Sequence, residues 1–487
     1  MNLSKHTQLN SQLWIIIAFF ATIFSSISLL NHFNFRTYGL DYGMFNQALF
    51  AYSEGKSALF TQGLYGDEIN YLCDHYSPIL ILLSPIRWIA GTYGLLIVQI
   101  LVLLSSSFYI YKTSILKGIQ HQMALMLSIF ALSFWCVYGA LAYDFHTNVI
   151  LAGLLPAMYF FHWKGAYFKL SVLVFVGLMC KENSGYVLFF FFLVLALEEK
   201  LERRKRMASL CFAGLSLLVM ILTLFYLMPK ECGASHPNVE SFYQAFGNTF
   251  SEAIVKMINS PMRVLKLFIL DHRDQLAPTK VTTYWFLLLS GGIFVLLKPR
   301  FLLLLMPLLL QKFLSTNELL WDVNGHYSIE FAPLLALAAV CFMSDFHLKS
   351  WSKWMMITSI ALAFFISWRG VISRNERANI FSSQHYQSEI NKREFDQLKR
   401  AIPSSAMLSC SSNLSPHLSF RDKVFIFPVV LDADFVLLEK YAKSTYPISR
   451  PEFEILLQFY RVSEEFYAVA ETEQLILFER RVSKKKQ

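Results

Sequence analysis

Tyr38-Gly-Leu-Asp-Tyr-Gly-Met-Phe-Asn-Gln-Ala-Leu49 follows the first long apolar run, Leu13 to Leu30, and so stands where the chain leaves a membrane. On a helical wheel Leu40, Met44, Phe45, Ala48, Leu49 and Tyr52 share one broad apolar arc. Asp41 falls inside that arc, although a solvated carboxylate belongs on the other side. Either it caps the first turn, or it points into the protein with a chemical task. A reciprocal capping box would need Glu or Gln at residue 44, which is Met.

The composition around this stretch sets the class. Of 487 residues, 55% are hydrophobic and 16% charged, against about 25% charged in a soluble protein. The 45 Phe and 23 Tyr suit lipid-facing and interfacial positions. The chain therefore reads as an α-helical integral membrane protein. Its net charge of +9 is explained by basic cytoplasmic loops and gives no sign of a nucleic-acid partner. The seven cysteines are scattered without a C-x-x-C. Cys136, Cys180, Cys211 and Cys341 lie in apolar runs and read as small packing residues. Cys73 and Cys232 fall in loops placed outside, where a disulfide can form. The first apolar run lacks a small-residue cleavage site and reads as a retained span.

Eleven apolar runs follow one another, at 13–30, 94–112, 122–140, 147–163, 170–180, 185–197, 208–228, 283–297, 301–314, 327–344 and 353–368. With residues 1–12 in the cytoplasm, the basic loops at 112–121, 164–169, 198–207, 298–300 and 345–353 all fall inside, as the positive-inside rule asks. The expectation is about eleven transmembrane helices in residues 1–369, with external loops 31–93 and 230–282. The loop at 31–93 contains a short apolar piece, Ile79 to Ala90, that reads as interfacial or re-entrant. The runs at 170–180 and 185–197 are short, and reading them as one broken span would reverse the later topology. Two spans fit better, because both flanks are basic.

Residues 370–487 change character and read as a small soluble α/β domain outside the cytoplasm. Strands are expected at Ala406–Ser411, Val424–Phe427, Phe435–Leu438, Phe466–Ala470 and Gln474–Phe478, with helices at 387–401 and Pro451–Arg461. Lys484 to Lys486 read as a solvated tail.

Polar residues collect at the external ends of the spans: Asp41; Asp74 and His75; Asp144 and His146; Lys181 and Glu182; His326 and Tyr327. Ionisable residues converging on one membrane face suggest a substrate path. Each also has a plainer reading. Asp144 can open a helix beside a hydrogen-bonded His146, or the two can hold a divalent metal ion with help from other loops. Lys181 and Glu182 can form a local ion pair in a tight turn, or Lys181 can receive a phosphate. His75 and His326 can sit in turns. The chain has no Walker loop, dinucleotide fingerprint, H-E-x-x-H or G-x-S-x-G, so soluble-enzyme chemistry has little support.

Leu40-Asp41-Tyr-Gly-Met-Phe-Asn-Gln-Ala-Leu-Phe50 resembles the opening motif of a bacterial family of multi-span membrane proteins, described as a predicted membrane protein with a domain of unknown function. The family pattern reads Tyr-Asp-Leu-Gly-Ile-Phe-Asp-Gln-Ala-Leu-Trp, and Asn46 stands where Asp is frequent. His75-x-x-Pro78, Asp144-Phe-His146, Lys181-Glu182, His326-Tyr327 and Pro416-His-Leu-Ser-x-Arg421 resemble its later landmarks in the same order. No landmark matches within 230–282. The family in turn is similar to the GT-C superfamily of membrane glycosyltransferases, which take sugar from polyprenyl phosphate or diphosphate donors. That resemblance implies an acidic residue in the first external loop, here Asp41, with interfacial helices and a soluble C-terminal domain outside.

The expected function is a GT-C-like glycosyltransferase of the bacterial inner membrane, moving a sugar from a polyprenyl-linked donor to an extracytoplasmic acceptor. Asp41 is its candidate general base. Lys181 would hold donor phosphate, and Asp144 and His146 would bind a metal or orient the sugar. His75, Glu182, His326 and Tyr327 complete the expected substrate-binding set. The rival reading is a lipid or small-molecule transporter or flippase, with 170–197 as a broken helix at a midplane site. A third is an assembly scaffold without catalysis.

Overall fold

The computed structural model describes residues 3–198, 201–232, 242–346, 350–388 and 390–481. Lys349 and the Lys484 to Lys486 tail lie outside the described residues. Each of the eleven apolar runs is helical. Among the described residues, six helices are long and apolar enough to cross a membrane: Ser11–Phe33, Ile86–Leu116, Arg203–Cys232, Pro278–Leu297, His326–Asp345 and Trp351–Ile372. His121–Ala131 and Trp135–Ala142, bent by 44°, add a seventh if they count as one span. The expected count of about eleven is therefore not reached on length and composition. Tyr167–Leu178, Ser184–Ala196 and Leu302–Phe313 have 12, 13 and 12 residues, short of the roughly 20 a bilayer core needs. Thr147–Lys164 is longer, but Asn148, Pro156, His162 and Lys164 dilute its hydropathy. The runs around residue 181 form two separate short helices.

The chain divides into two compact units. The first comprises residues 1–28, 75–79 and 97–382 and is helical. The Phe331–Phe346 helix has apolar residues on all sides and is almost wholly buried, as a central bundle helix must be. Gly185 lets the Ser184–Ala196 helix lie against Arg203–Leu222. A Cβ at 185 would stand 2.5 Å from the Ser216 carbonyl oxygen, the close backbone approach that small residues allow. Residues 75–79 are held in this unit by Ile79 N–H donating to Met179 O at 3.0 Å and by Ser77 Oγ and Thr147 Oγ1 at 3.3 Å.

The second unit comprises residues 29–74, 80–96 and 383–487. A two-stranded ribbon pairs β1 (Leu59–Phe60) with β2 (Ile69–Asn70). The main sheet contains β3 (Leu408–Cys410), β4 (Val424–Ile426), β5 (Phe435–Glu439), β6 (Phe466–Glu471) and β7 (Leu475–Arg480), in the order β4-β3-β5-β7-β6. β3 pairs parallel with β4 and β5, while β7 runs antiparallel to β5 and β6. Side chains alternate between the faces. Leu437, Leu475 and Leu477 join Phe395 and Leu398 of the Lys392–Ala401 helix, whereas Val436, Leu438, Ile476 and Phe478 join Phe453 and Leu457 of Arg450–Arg461. Both faces are thus covered, which explains the continuous apolar runs of β5 and β7. All five expected strands and both helices form, with ends displaced by a few residues.

Candidate functional site

The Lys181 turn sits between two helix ends in the first unit. Ser184 Oγ accepts from the Lys181 N–H at 2.9 Å and ties the turn. Lys181 Nζ lies 3.9 Å from Glu182 Oε1, and His75 Nδ1 lies 3.7 Å from the same oxygen. Burial alone would raise the pKa of Glu182, but Lys181 and His75 outweigh it and hold the carboxyl down at about 2. Lys181 Nζ also stands 5.7 Å from the centre of the Tyr327 ring. A second, deeper pair lies nearby. Lys312 Nζ and Glu330 Oε2 are 3.1 Å apart with side chains 5% and 3% exposed. Lys312 also donates to the Tyr327 carbonyl. Asn148 Nδ2 donates to His326 O at 3.2 Å and stands 3.5 Å from Glu330 Oε1.

Both lysines line one cavity of about 440 Å³. Its polar wall holds Asn148, Lys181, Glu182, Lys312, Tyr327 and Glu330. The remaining wall is largely apolar, with Met220, Ile254, Met257, Ile258, Val264 and Leu310. Ile254, Met257 and Ile258 come from one face of the Phe250–Asn259 helix, the i, i+3, i+4 spacing of an amphipathic helix. A second cavity of about 230 Å³ shares Tyr327 and is lined by Tyr143, Asp322, Asn324, Asn375 and Arg377. Here Asp322 Oδ1 accepts from Asn324 N–H at 3.1 Å and from its side-chain amide at 3.2 Å.

Asp144 and His146 diverge. Asp144 adopts a left-handed backbone conformation with φ +66°, tolerated by Asp more readily than by bulky residues. Gln99 braces this corner, donating to Asp144 O at 2.9 Å and accepting from His146 N–H at 3.1 Å. Asp144 Oδ1 faces Arg377 Nη1 at 3.4 Å. The His146 ring stacks on His326 with centroids 3.4 Å apart. Among the described residues no group of three or more His, Cys, Asp or Glu side chains is placed to hold a metal ion. Asp144 and His146, the candidate metal pair, thus have no third such side chain placed with them among the described residues.

Asp41 belongs to the second unit. Its helix opens with a wide turn over Gly39–Gly43 and continues as Met44–Ser53. The N-cap position is Tyr38, so Asp41 sits within the first turn and is not the cap. The rest of the motif fastens this helix to the C-terminal sheet region. Cβ atoms at Gly39 and Gly43 would stand 2.7 Å from Ile426 Cδ1 and 2.1 Å from Gln62 Oε1. Asn46 Nδ2 donates to Pro416 O at 3.3 Å, and Gln47 Nε2 donates to Asp422 O at 2.9 Å. Two landmarks far apart in sequence, Leu40–Phe50 and Pro416–Arg421, are thus packing partners. Arg421 is buried with its guanidinium on the carbonyls of Pro403, Ala406 and Ile402.

The structure therefore gathers His75, Lys181, Glu182, His326 and Tyr327 in one unit with His146 and Asp144, while Asp41 is in the other. Lys312, Glu330 and Asn148 were not foreseen, since each lies in or beside an apolar run. The 230–282 segment, expected as an external loop, holds the Phe250–Asn259 helix. Its Ile254-x-x-Met257-Ile258 spacing carried the signal. Cys73 and Cys232 are each disulfide-bonded, and Cys136, Cys180, Cys211, Cys341 and Cys410 are free.

The spanning helices define a polytopic membrane protein, and its 440 Å³ cavity sets charged side chains against apolar ones. The chain belongs to the family described as "Predicted membrane protein (DUF2079)", whose model matches residues 31–477. No curated protein matches it. Among solved structures it is similar to the crystal structure of ArnT from Cupriavidus metallidurans bound to undecaprenyl phosphate, at 10% identity and a TM-score of 0.46 over 99% of each chain. The apo state of that protein gives 11% identity and a TM-score of 0.45, covering 96% of this chain and 98% of that one.

Proposed function

We propose that the chain is a GT-C-like membrane glycosyltransferase that takes its sugar from a polyprenyl-linked donor. The observation that carries this reading is the 440 Å³ cavity, with Lys181 and Lys312 on one wall and Ile254, Met257 and Ile258 on another. A polyprenyl phosphate needs that combination: cations for the phosphate and a dry apolar wall for the isoprenoid. Tyr327, shared with the polar 230 Å³ cavity, would separate the lipid phosphate from a sugar whose hydroxyls meet Asn324, Asn375 and Arg377.

In this mechanism the acceptor hydroxyl oxygen bonds to the anomeric carbon while the bond from that carbon to the donor phosphate oxygen breaks. The hydroxyl proton passes to a carboxylate, for which Asp41 is the candidate general base. The departing polyprenyl phosphate keeps the bond electrons, and the Lys181 and Lys312 ammonium groups stand on the wall that would receive it. Disulfide-bonded Cys73 and Cys232 support an oxidising compartment for the loops at 31–93 and 230–282. The reaction would then take place at the outer face of the inner membrane, with the C-terminal domain on that side.

Binding of a polyprenyl phosphate to the purified full-length chain tests the cavity assignment. Lys181→Met should weaken it by about 10- to 100-fold, the worth of one charge-assisted contact. Ile258→Trp, which fills the apolar wall, should weaken it while leaving the lysines in place. Unchanged affinity in both variants would refute the assignment.

A further inference from the structure

The Ser184–Ala196 helix has a second charged centre at its far end, 13 residues or about 20 Å along the axis from the Lys181 turn. There Glu198 is buried and its carboxylate is saturated. Oε1 faces Lys117 Nζ at 2.7 Å and Arg300 Nη2 at 3.2 Å, and Oε2 accepts from Tyr159 O–H at 2.7 Å and Trp163 Nε1–H at 3.1 Å. Lys117 Nζ lies 3.6 Å from the centre of the Trp163 ring. Lys298 pairs with the half-exposed Asp345. These groups line a cavity of about 380 Å³, within the range of small-ligand sites.

Its charges do not balance. Among the described residues, Lys117, Lys298 and Arg300 face Glu198 and Asp345, one positive charge more than the carboxylates present. Glu198 can accept little more. Arg300 Nε is buried and has no hydrogen-bond acceptor among the described residues. An acceptor-only anion is the group that complements this lining. Leu116 and Leu197 belong to the same lining and are 42% and 57% exposed, so the charged hollow adjoins apolar surface at the ends of membrane helices. Trp163, whose ring prefers the membrane interface, belongs to the same lining. A free anion has no use for that apolar rim, whereas the acyl chains of a phospholipid do.

We propose that this cavity binds the phosphate of an anionic phospholipid, with Lys298, Arg300 and Lys117 around the head group and the acyl chains along Leu116 and Leu197. Basic pockets between membrane helices recognise such head groups elsewhere. The site is independent of the sugar-transfer reading, because it shares no residue with the Lys181 cavity. Occupancy would join the ends of four segments, at Lys117, Trp163, Glu198 and Arg300.

The test is native mass spectrometry of the purified full-length chain titrated with phosphatidylglycerol, phosphatidylcholine or inorganic phosphate. Phosphatidylglycerol should be retained preferentially. Lys298→Gln should weaken that retention about fivefold, and Asp345→Asn, which removes the competing carboxylate, should strengthen it about fivefold, as one charge near a lipid surface is worth. A purely structural ion pair would not move the two variants in opposite directions. Equal retention of both lipids, or a common direction for the two variants, would overturn the proposal. So would inorganic phosphate displacing the lipid at equal concentration, which would mark a soluble-anion site. Should Lys298→Gln fail to fold, Asp345→Asn alone decides, since a loss or no change there contradicts the excess-charge argument.

Discussion

Single residues divide into those that pack and those left for chemistry. Gly39, Gly43, Asn46 and Gln47 are accounted for by contact with Ile426, Gln62, Pro416 and Asp422, and Asp41 is the proposed base. Asp41 lies in the first turn and does not cap, so Asp41→Asn should forfeit about 0.3–1 kcal/mol of helix-dipole stabilisation. If Asp41 is the base, the same change should lower turnover about 10²–10⁴-fold. Thermal unfolding and a transfer assay on one preparation separate the two effects. Retained turnover would shift the role to Asp322, which lines the polar cavity, since Asp144 is committed to Arg377. Lys312→Met should behave differently from Lys181→Met. It strands Glu330 in a site 3% exposed and should cost about 3–5 kcal/mol of stability. The double variant Lys312→Met/Glu330→Gln should recover much of that loss in a thermal melt. Such pairing could not be read from the sequence, where Lys312 and Glu330 are isolated charges beside apolar runs with no periodicity to join them. Lys181-Glu182 was visible because the two are adjacent and interrupt two short runs.

At the scale of elements, helices and strands were legible wherever one period dominated. The continuous apolar runs of β5 and β7 and the amphipathic Arg450–Arg461 helix are local signals. The count of about eleven spans is not confirmed where helices are short, or where polar residues dilute them as in Thr147–Lys164. Leu302–Phe313 is as apolar as a span but only 12 residues long. The association of the Asp41 helix with Pro416 and Asp422 joins segments about 370 residues apart, and no local pattern encodes it. Gly43→Ala should displace Gln62, whose amide donates to Gly43 O at 2.9 Å. It should cost about 1–3 kcal/mol, read as a lower melting temperature. In the sheet unit, Glu471 bridges Arg461 at 2.5 Å and Lys440 at 2.8 Å. Those two hydrogen bonds hold its pKa down from 4.5 to about 2. A depressed carboxyl stabilises above its unfolded pKa, so this contribution is complete above about pH 4.5 and is lost as pH falls towards about 2. Glu471→Gln should flatten that part of the stability profile. An unchanged slope would remove Glu471 as its source.

For the whole molecule, membrane character was legible from composition, while the pairing of the two units' segments was not. Residues 29–74 group with residues 383–487 across more than 300 intervening positions. The proposed topology predicts that a single Cys placed at Ser382 labels from outside in intact cells, and that one placed at Lys205 labels only after permeabilisation. The reverse pattern would put the C-terminal domain in the cytoplasm and remove the outer-face reaction. The claim of sugar transfer has its own direct measurement. Membranes containing the chain would receive a polyprenyl-linked donor radiolabelled in the sugar, and label leaving the lipid fraction for an acceptor would be followed with time. The account predicts transfer by the wild type and its loss in Lys181→Met, with both proteins folded and present in equal amount. Wild-type protein that binds the donor but leaves all label on the lipid would contradict it and favour a carrier.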